Sequence, residues 1–156
     1  EVLRVTNKLV TRDMLRGMFV TALYLTVKPG RLVMANAGHL PPIVVRRGSQ
    51  RARLARANGL AVGLVEGAQF AKAVRPRAIR VGSADMVCLY TDGVVEARNA
   101  DGQEFGTRRL ARALCSGAAT AREAVDAVVA ALDAFTEGAP QHDDTTLVVL
   151  RLTGQS

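Results

Sequence analysis

The chain has 156 residues, 49% of them hydrophobic and 22% charged, which is the size and make-up of one globular domain with a single core and argues against disorder. No apolar run approaches the roughly 20 residues that cross a bilayer, and no charged region followed by an apolar stretch and a small-residue cleavage site marks a secretory leader. Lysine and arginine number 21 against 14 aspartates and glutamates, a formal net charge of +7.

The opening stretch "EVLRVTNKLVTRDML" repeats Val2, Leu3, Val5, Leu9 and Val10 at helical spacing and predicts a helix. It begins without methionine, as a piece of something longer would. "MFVTALYLTV" (18–27) is rich in β-branched and aromatic residues and predicts a strand that Pro29-Gly30 turns back. "RLVMANAG" is the return strand. Pro41-Pro42 excludes helix from "HLPPIVVRRG", leaving Ile43 to Val45 as a third short strand. Short strands on tight turns suggest an antiparallel meander. "GLAVGLVEG" (59–67) holds three glycines and predicts a loop, and "QFAKAVRPRAIRVGSADMVCLYT" supplies two more strands, for a sheet of at least five.

Helical periodicity returns in "GTRRLARALCSG", with Leu110, Ala113 and Leu114 on one face, and in "TAREAVDAVVAALDAF", with Val125, Val128, Val129, Leu132 and Phe135. Thr120 and Glu123 have the spacing of a capping box. "DDTTLVVLRL" is the closing strand. Strands first, a helical pair next and a strand last predict an α+β domain with a mainly antiparallel sheet. Cys88 and Cys115 lie in apolar patterns without C-x-x-C spacing, so they read as reduced core thiols and point to the cytoplasm.

Two carboxylates stand out. Asp92 in "LYTDG" and Asp143 in "HDDTT" each adjoin an apolar strand, and carboxylates held at strand ends suit Mg²⁺ or Mn²⁺, hard cations that take oxygen ligands. Each motif alone reads first as turn or loop, since Asp-Gly is the commonest hairpin signal. Gly38 and Gly93 read as positions needing positive φ. His39 in "NAGHLPP" is either a turn-stabilising histidine or a substrate contact. His142 reads as a loop residue or an outer partner of the aspartates. No Ser-His-Asp spacing and no reactive-cysteine loop is present.

Taken in order, "NAGHLPP", "VCLYTDGVVEARNADGQEFG" and "HDDTTLVVLRL" resemble the SpoIIE-like branch of the metal-dependent (PPM, type 2C) protein serine/threonine phosphatases, and the resemblance runs from "MFVTALYL" to the last strand. It implies a PPM-type β-sandwich of mainly antiparallel strands flanked by helices, N-terminally incomplete, with residues 1–156 as a single partial domain. It maps metal ligation and catalysis onto Asp92 and Asp143, with Asp144, Gly93, Gly38 and His39 in support. The family's upstream "GGD" and "D-x-x-G-H-G" aspartates do not occur in this sequence. The two-metal centre, Mn²⁺ or Mg²⁺, is therefore expected to be weak or absent in this chain alone.

The resemblance also implies a hydrolase acting on a phosphorylated STAS-domain protein, an anti-sigma factor antagonist, in sigma-factor regulation, with a sensor domain upstream. The alternative is a catalytically inactive phosphatase-like binding or scaffold module. A homodimer that covers exposed strand edges is expected, and no membrane contact is. Arg46, Arg47, Arg51, Arg53 and Arg56 cluster in one stretch. With no aromatic residues interleaved for base stacking, they read as a solvated face, or as an attraction for an acidic protein partner or a phosphorylated substrate, rather than as a nucleic-acid patch.

Overall fold

The computed structural model describes residues 1–15 and 17–153. In chain order these form α1 (Val2–Asp13), β1 (Ala22–Lys28), β2 (Arg31–Ala37), β3 (Ile43–Val45), β4 (Ala52–Leu54), α2 (Gly67–Ala73), β5 (Arg77–Arg80), β6 (Met86–Tyr90), α3 (Asp92–Val95), α4 (Gly106–Leu114), α5 (Ala121–Thr136) and β7 (Leu147–Arg151). They divide into two units, Glu1–Pro41 with Arg56–Val81, and Pro42–Ala55 with the chain from Gly82 onward.

The first unit is built on the β1–β2 hairpin. Pro29-Gly30 turns the chain at a Gly30 φ of 69°, and the ladder runs in register from Lys28↔Arg31 to Ala22↔Ala37. β5 adds to β2 on the other side, giving the order β1-β2-β5. The strand predicted from Met18 starts only at Ala22, because the β2 ladder ends there; before it, only Val20 finds a partner, bridging Val62. Leu3, Ala37, Val62, Phe70 and Val74 form the core of this unit. Phe70 and Val74 share a face at i, i+4, which makes the start of the predicted strand region a short helix, α2, ahead of β5.

The opening helix is present but turned differently from its apolar pattern. Val2, Val5 and Leu9 are exposed while Leu3 and Asn7 are buried. Asn7 is committed to the 59–67 loop: its Nδ2 donates to the Val65 carbonyl at 2.9 Å and its Oδ1 accepts the Gly63 N–H at 2.9 Å. A loop running under a helix carries backbone groups that must be satisfied, and an amide satisfies one donor and one acceptor at once.

The second unit holds a four-stranded antiparallel sheet in the order β4-β3-β6-β7. With seven strands in two sheets among the described residues, the architecture is α+β and antiparallel as expected, but β5 returns to β2 and β6 to β3, so it is not a simple meander. β6 is an unbroken apolar run because both of its faces are covered: the consecutive residues Met86, Val87 and Cys88 are all buried, in a central strand between β3 and β7. Leu110, Ala113 and Leu114 are buried on α4 as predicted. On α5 Val128 is buried, but Ala124 rather than Val129 completes the face, and Val129 is exposed. Phe105 meets Phe135 edge to face at 5.5 Å, and the Arg109 guanidinium lies over the Phe135 ring. Both cysteines are free thiols.

Candidate active site

The end of β6 and the start of β7 lie side by side, since Tyr90 pairs with Leu147 in the last rung of the ladder. Beyond that rung the two chains would part, and threonines keep them together. The Thr91 N–H donates to the Thr146 carbonyl at 3.1 Å, and the Thr146 N–H donates to the Thr91 hydroxyl at 3.0 Å. That hydroxyl in turn donates to the Asp144 carbonyl at 3.2 Å, and the Thr145 hydroxyl reaches the Gly93 carbonyl at 3.5 Å. The segments 91–93 and 143–146 are thus laced into one surface although about fifty positions separate them in the chain.

Asp92 opens the short helix α3, and the structure decides against a hairpin turn at "TDG". Asp92 and Asp143 have the same local geometry: Oδ1 of Asp92 accepts the N–H of Gly93 at 3.1 Å, and Oδ1 of Asp143 accepts the N–H of Asp144 at 2.7 Å. One oxygen of each carboxylate is held by the next peptide, and both side chains are exposed. Gln141 Nε2 donates to the Asp143 carbonyl at 2.7 Å and fixes the loop behind it. Asp143 borders a cleft of about 730 Å³ whose walls include Glu96, Arg98, Asp133, Thr136 and His142. His142, expected in the loop, therefore faces this cleft.

Gly93 departs from the expectation of positive φ. It sits in helical backbone, and what requires glycine is proximity: a Cβ there would stand 2.4 Å from the Asp144 carbonyl oxygen and 3.4 Å from that of Asp143. Gly38 does adopt positive φ, 76°, and its Cβ would also press on the Ala61 nitrogen at 2.9 Å. Gly38 and His39 belong to the first unit and form a turn of their own. Asn36 Oδ1 accepts the His39 N–H and its Nδ2 donates to the His39 carbonyl, both at 2.8 Å. The His39 ring closes on its neighbour, Nδ1 donating to the Leu40 carbonyl at 3.1 Å.

A thiol nucleophile is disfavoured by the site's surroundings. Burial pushes the Cys88 thiol up to about 12 and raises that of Cys115. Among the described residues no group of three or more histidines, cysteines, aspartates or glutamates is placed to hold a metal ion. The residues that sequence reasoning passed over are Thr91, Thr145, Thr146 and Gln141. Threonines flanking both motifs were the available signal, because a threonine hydroxyl can bond the backbone of the segment facing it, as those of Thr91 and Thr145 do.

A family model described as Stage II sporulation protein E (SpoIIE) matches residues 1–153. The chain is 28% identical over 136 residues to Protein IcfG of Synechocystis sp., covering 86% of this chain and 21% of that protein. Among solved structures it is similar to the SiaA-PP2C domain of Pseudomonas aeruginosa, with a TM-score of 0.78 and 24% identity over 97% of this chain and 59% of that one. It is similar also to the RsbU and RsbW domains of Rv1364c from Mycobacterium tuberculosis, with a TM-score of 0.71 and 21% identity over 98% of this chain and 42% of that one. The phosphatase domain of the cell fate determinant SpoIIE from Bacillus subtilis gives a TM-score of 0.66 at 13% identity, over 98% of this chain and 66% of that one. At these identities the structural likeness is one of fold, that of PP2C-type phosphatase domains, and the chain spans about a fifth of the curated relative and well under two thirds of the first two structures.

Proposed function

The chain belongs to the SpoIIE family, and from that premise we propose that it is the C-terminal part of a metal-dependent protein phosphatase that removes phosphate from phosphoserine or phosphothreonine. The observation that carries the reading is the interlock of Thr91 to Gly93 with Asp143 to Thr146, which brings the loops of two exposed carboxylates onto one surface beside a cleft. Asp92 and Asp143 are the metal ligands and catalytic residues in this reading, with Asp144 and Gly93 behind them. Gly38 and His39 enter as supporting residues through the turn they build with Asn36.

Carboxylate oxygens fit Mn²⁺ or Mg²⁺ in kind, though two of them do not make a full set of protein ligands. The ion, when bound, supplies Lewis acidity at phosphorus and lowers the pKa of water. What the chain's own residues contribute is orientation. The Gly93 and Asp144 N–H groups each fix one oxygen of a carboxylate, and the threonine lacing holds the two loops at constant separation. No protein nucleophile takes part.

The substrate in this reading is a phosphorylated STAS-domain protein in a cytoplasmic pathway controlling sigma factors, with a sensor domain upstream and residues 1–156 acting as one partial domain. Support comes from a fold neighbour that carries RsbU and RsbW domains. The chain pairs with a copy of itself. A binding or scaffold module without activity is the second reading, favoured by the lack of a three-ligand cluster among the described residues.

Manganese-dependent release of phosphate from a phosphoserine protein, measured on this chain and on a polypeptide extended upstream, separates the two. Turnover is expected in the longer polypeptide and lost in its Asp92→Asn variant, whose fold is unchanged because the amide keeps the shape. Near-normal turnover of that variant at saturating manganese removes Asp92 from the ligand set. No turnover in either polypeptide favours the module.

A further inference from the structure

The second unit is almost neutral, with ten arginines, no lysine and eleven carboxylates, yet its charges are sorted in space. The cleft beside Asp143 is walled by Glu96, Asp133 and Asp143 with one arginine. Two other hollows, of about 270 and 500 Å³, share Gln50 and Cys115 and so adjoin. Arg46, Arg47 and Arg151 line one, Arg108 and Arg112 the other, and among the described residues neither lining contains an aspartate or glutamate.

The two regions lie at opposite ends of the sheet. β6 runs from Met86, at the arginine hollows, to Tyr90 beside Thr91, and β7 runs back from Leu147 to Arg151. Five residues of strand separate them by about 17 Å. The arginine side is also built. Arg46 donates to buried Asp85 at 2.8 Å, and the Arg47 N–H donates to the same carboxylate at 2.9 Å, which anchors the end of β3 under the hollow. Arg108 and Arg112 stand at i, i+4 on α4, where like charges destabilise a helix unless an anion lies against them. Arg47, Arg108, Arg112 and Arg151 are exposed and enter no ion pair among the described residues.

We propose that the adjoining hollows lined by Arg46, Arg47, Arg108, Arg112 and Arg151 dock an acidic segment of a partner protein, at the end of the second unit remote from the Asp92–Asp143 surface. The occupant is protein rather than nucleic acid for two reasons. No aromatic side chain lines either hollow to stack a base, and a nearly neutral unit lacks the broad positive field that tracks a phosphate backbone. A short run of carboxylates matches a group of neighbouring guanidiniums, which bind carboxylates in bidentate pairs.

The test is fluorescence anisotropy of a labelled ten-residue glutamate peptide, alongside a ten-nucleotide thymidine oligomer and phosphatidylcholine vesicles containing phosphatidylserine. The peptide is expected to bind with an affinity that falls as salt rises. Reversing charge in the hollows (R47E/R112E/R151E) is expected to weaken binding at least about tenfold, while the equal reversal K8E/K28E/R31E in the first unit changes it less than about threefold. Arg46 is left intact because it holds Asp85. Cys115, common to both hollows, gives a readout on the unaltered chain: saturating peptide should protect it from maleimide, with Cys88 silent because it is buried. Equal loss in the two triple variants, tighter binding of the oligonucleotide or the vesicles through these arginines, or unprotected Cys115 with peptide bound each overturns the proposal.

Discussion

Gly93 and Asp85 show how single residues govern the second unit. A methyl group at position 93 would lie 2.4 Å from the Asp144 carbonyl oxygen, which is backbone and cannot swing away. Gly93→Ala is therefore expected to force the two aspartate loops apart, costing about 1–3 kcal/mol in urea unfolding and lowering activity of the longer polypeptide; unchanged stability would mean that the loops are free to yield. Asp85 was not singled out by its sequence context, "GSADMV", yet it is buried with Gly82 and Arg47 N–H groups and the Arg46 guanidinium around it. Burial raises its pKa, and the two N–H donors and Arg46 outweigh that and hold the carboxyl below its usual value. The folded pKa is depressed, so this contribution is complete above the unfolded pKa of about 4 and is lost as pH falls through the folded value. Asp85→Asn should be less stable than the parent at pH 7 and the gap should close as pH falls below about 4, measured by thermal melts; a constant gap would assign the loss to packing alone.

At the scale of the element, α5 has one end well matched to its sequence and one end at odds with it. The Thr120 hydroxyl accepts the Glu123 N–H at 3.1 Å, and Glu123 Oε2 reaches back to the Ala119 N–H at 2.8 Å, one residue beyond the usual box. The Ala119 N–H first, and donors of Thr120 after it, hold the Glu123 carboxyl below its ordinary value. At the other end Glu137 caps the helix in the left-handed region, φ 47°, where a side chain is strained and where a negative charge meets the negative end of the helix dipole. Glu137→Gly should relieve both and stabilise the chain by about 1 kcal/mol, seen as a rise in Tm of several degrees; a lower Tm would show that Glu137 has a favourable role in the loop leading to His142. Helix α1 carries a different lesson: its spacing predicted the helix, but its inward face is Leu3, Asn7 and Val10, so that Asn7, paired to the 59–67 loop, takes the central place while Val2, Val5 and Leu9 are exposed.

For the whole molecule, the net charge resides in the first unit, and the exposed apolar residues Leu9, Leu15, Met18, Phe19 and Val27 lie there too. Such surface favours association, while the surplus of cations opposes it at low salt. The chain is expected to elute as a dimer or larger assembly whose fraction grows with salt, as measured by light scattering; a monomer at every ionic strength would sink the expected self-pairing. No helix among the described residues is long and apolar enough to cross a membrane.

Most element types were legible in the sequence because they depend on local spacing; β4, α2 and α3 were not. The β-branched and aromatic run of β1, its return strand β2 after Pro29-Gly30, the three-residue strand after Pro41-Pro42, the faces of α4 and the closing strand each follow from a few neighbouring side chains. The aspartate motifs could be found too, since apolar strands ending in "TDG" and following "DDTT" are local patterns. What only the tertiary structure decided is what depends on residues far apart in the chain. It fixed the division of the strands between two sheets, the choice of Asn7 over Leu9 for burial, the threonine lacing of the two motifs, and the buried Asp85 that anchors Arg46. A hydrogen bond between Thr91 and Thr146 leaves no periodicity in sequence, because its partners become neighbours only when β6 and β7 pair. The same holds for Gly93, whose requirement comes from a carbonyl fifty-one positions away rather than from its own backbone angles.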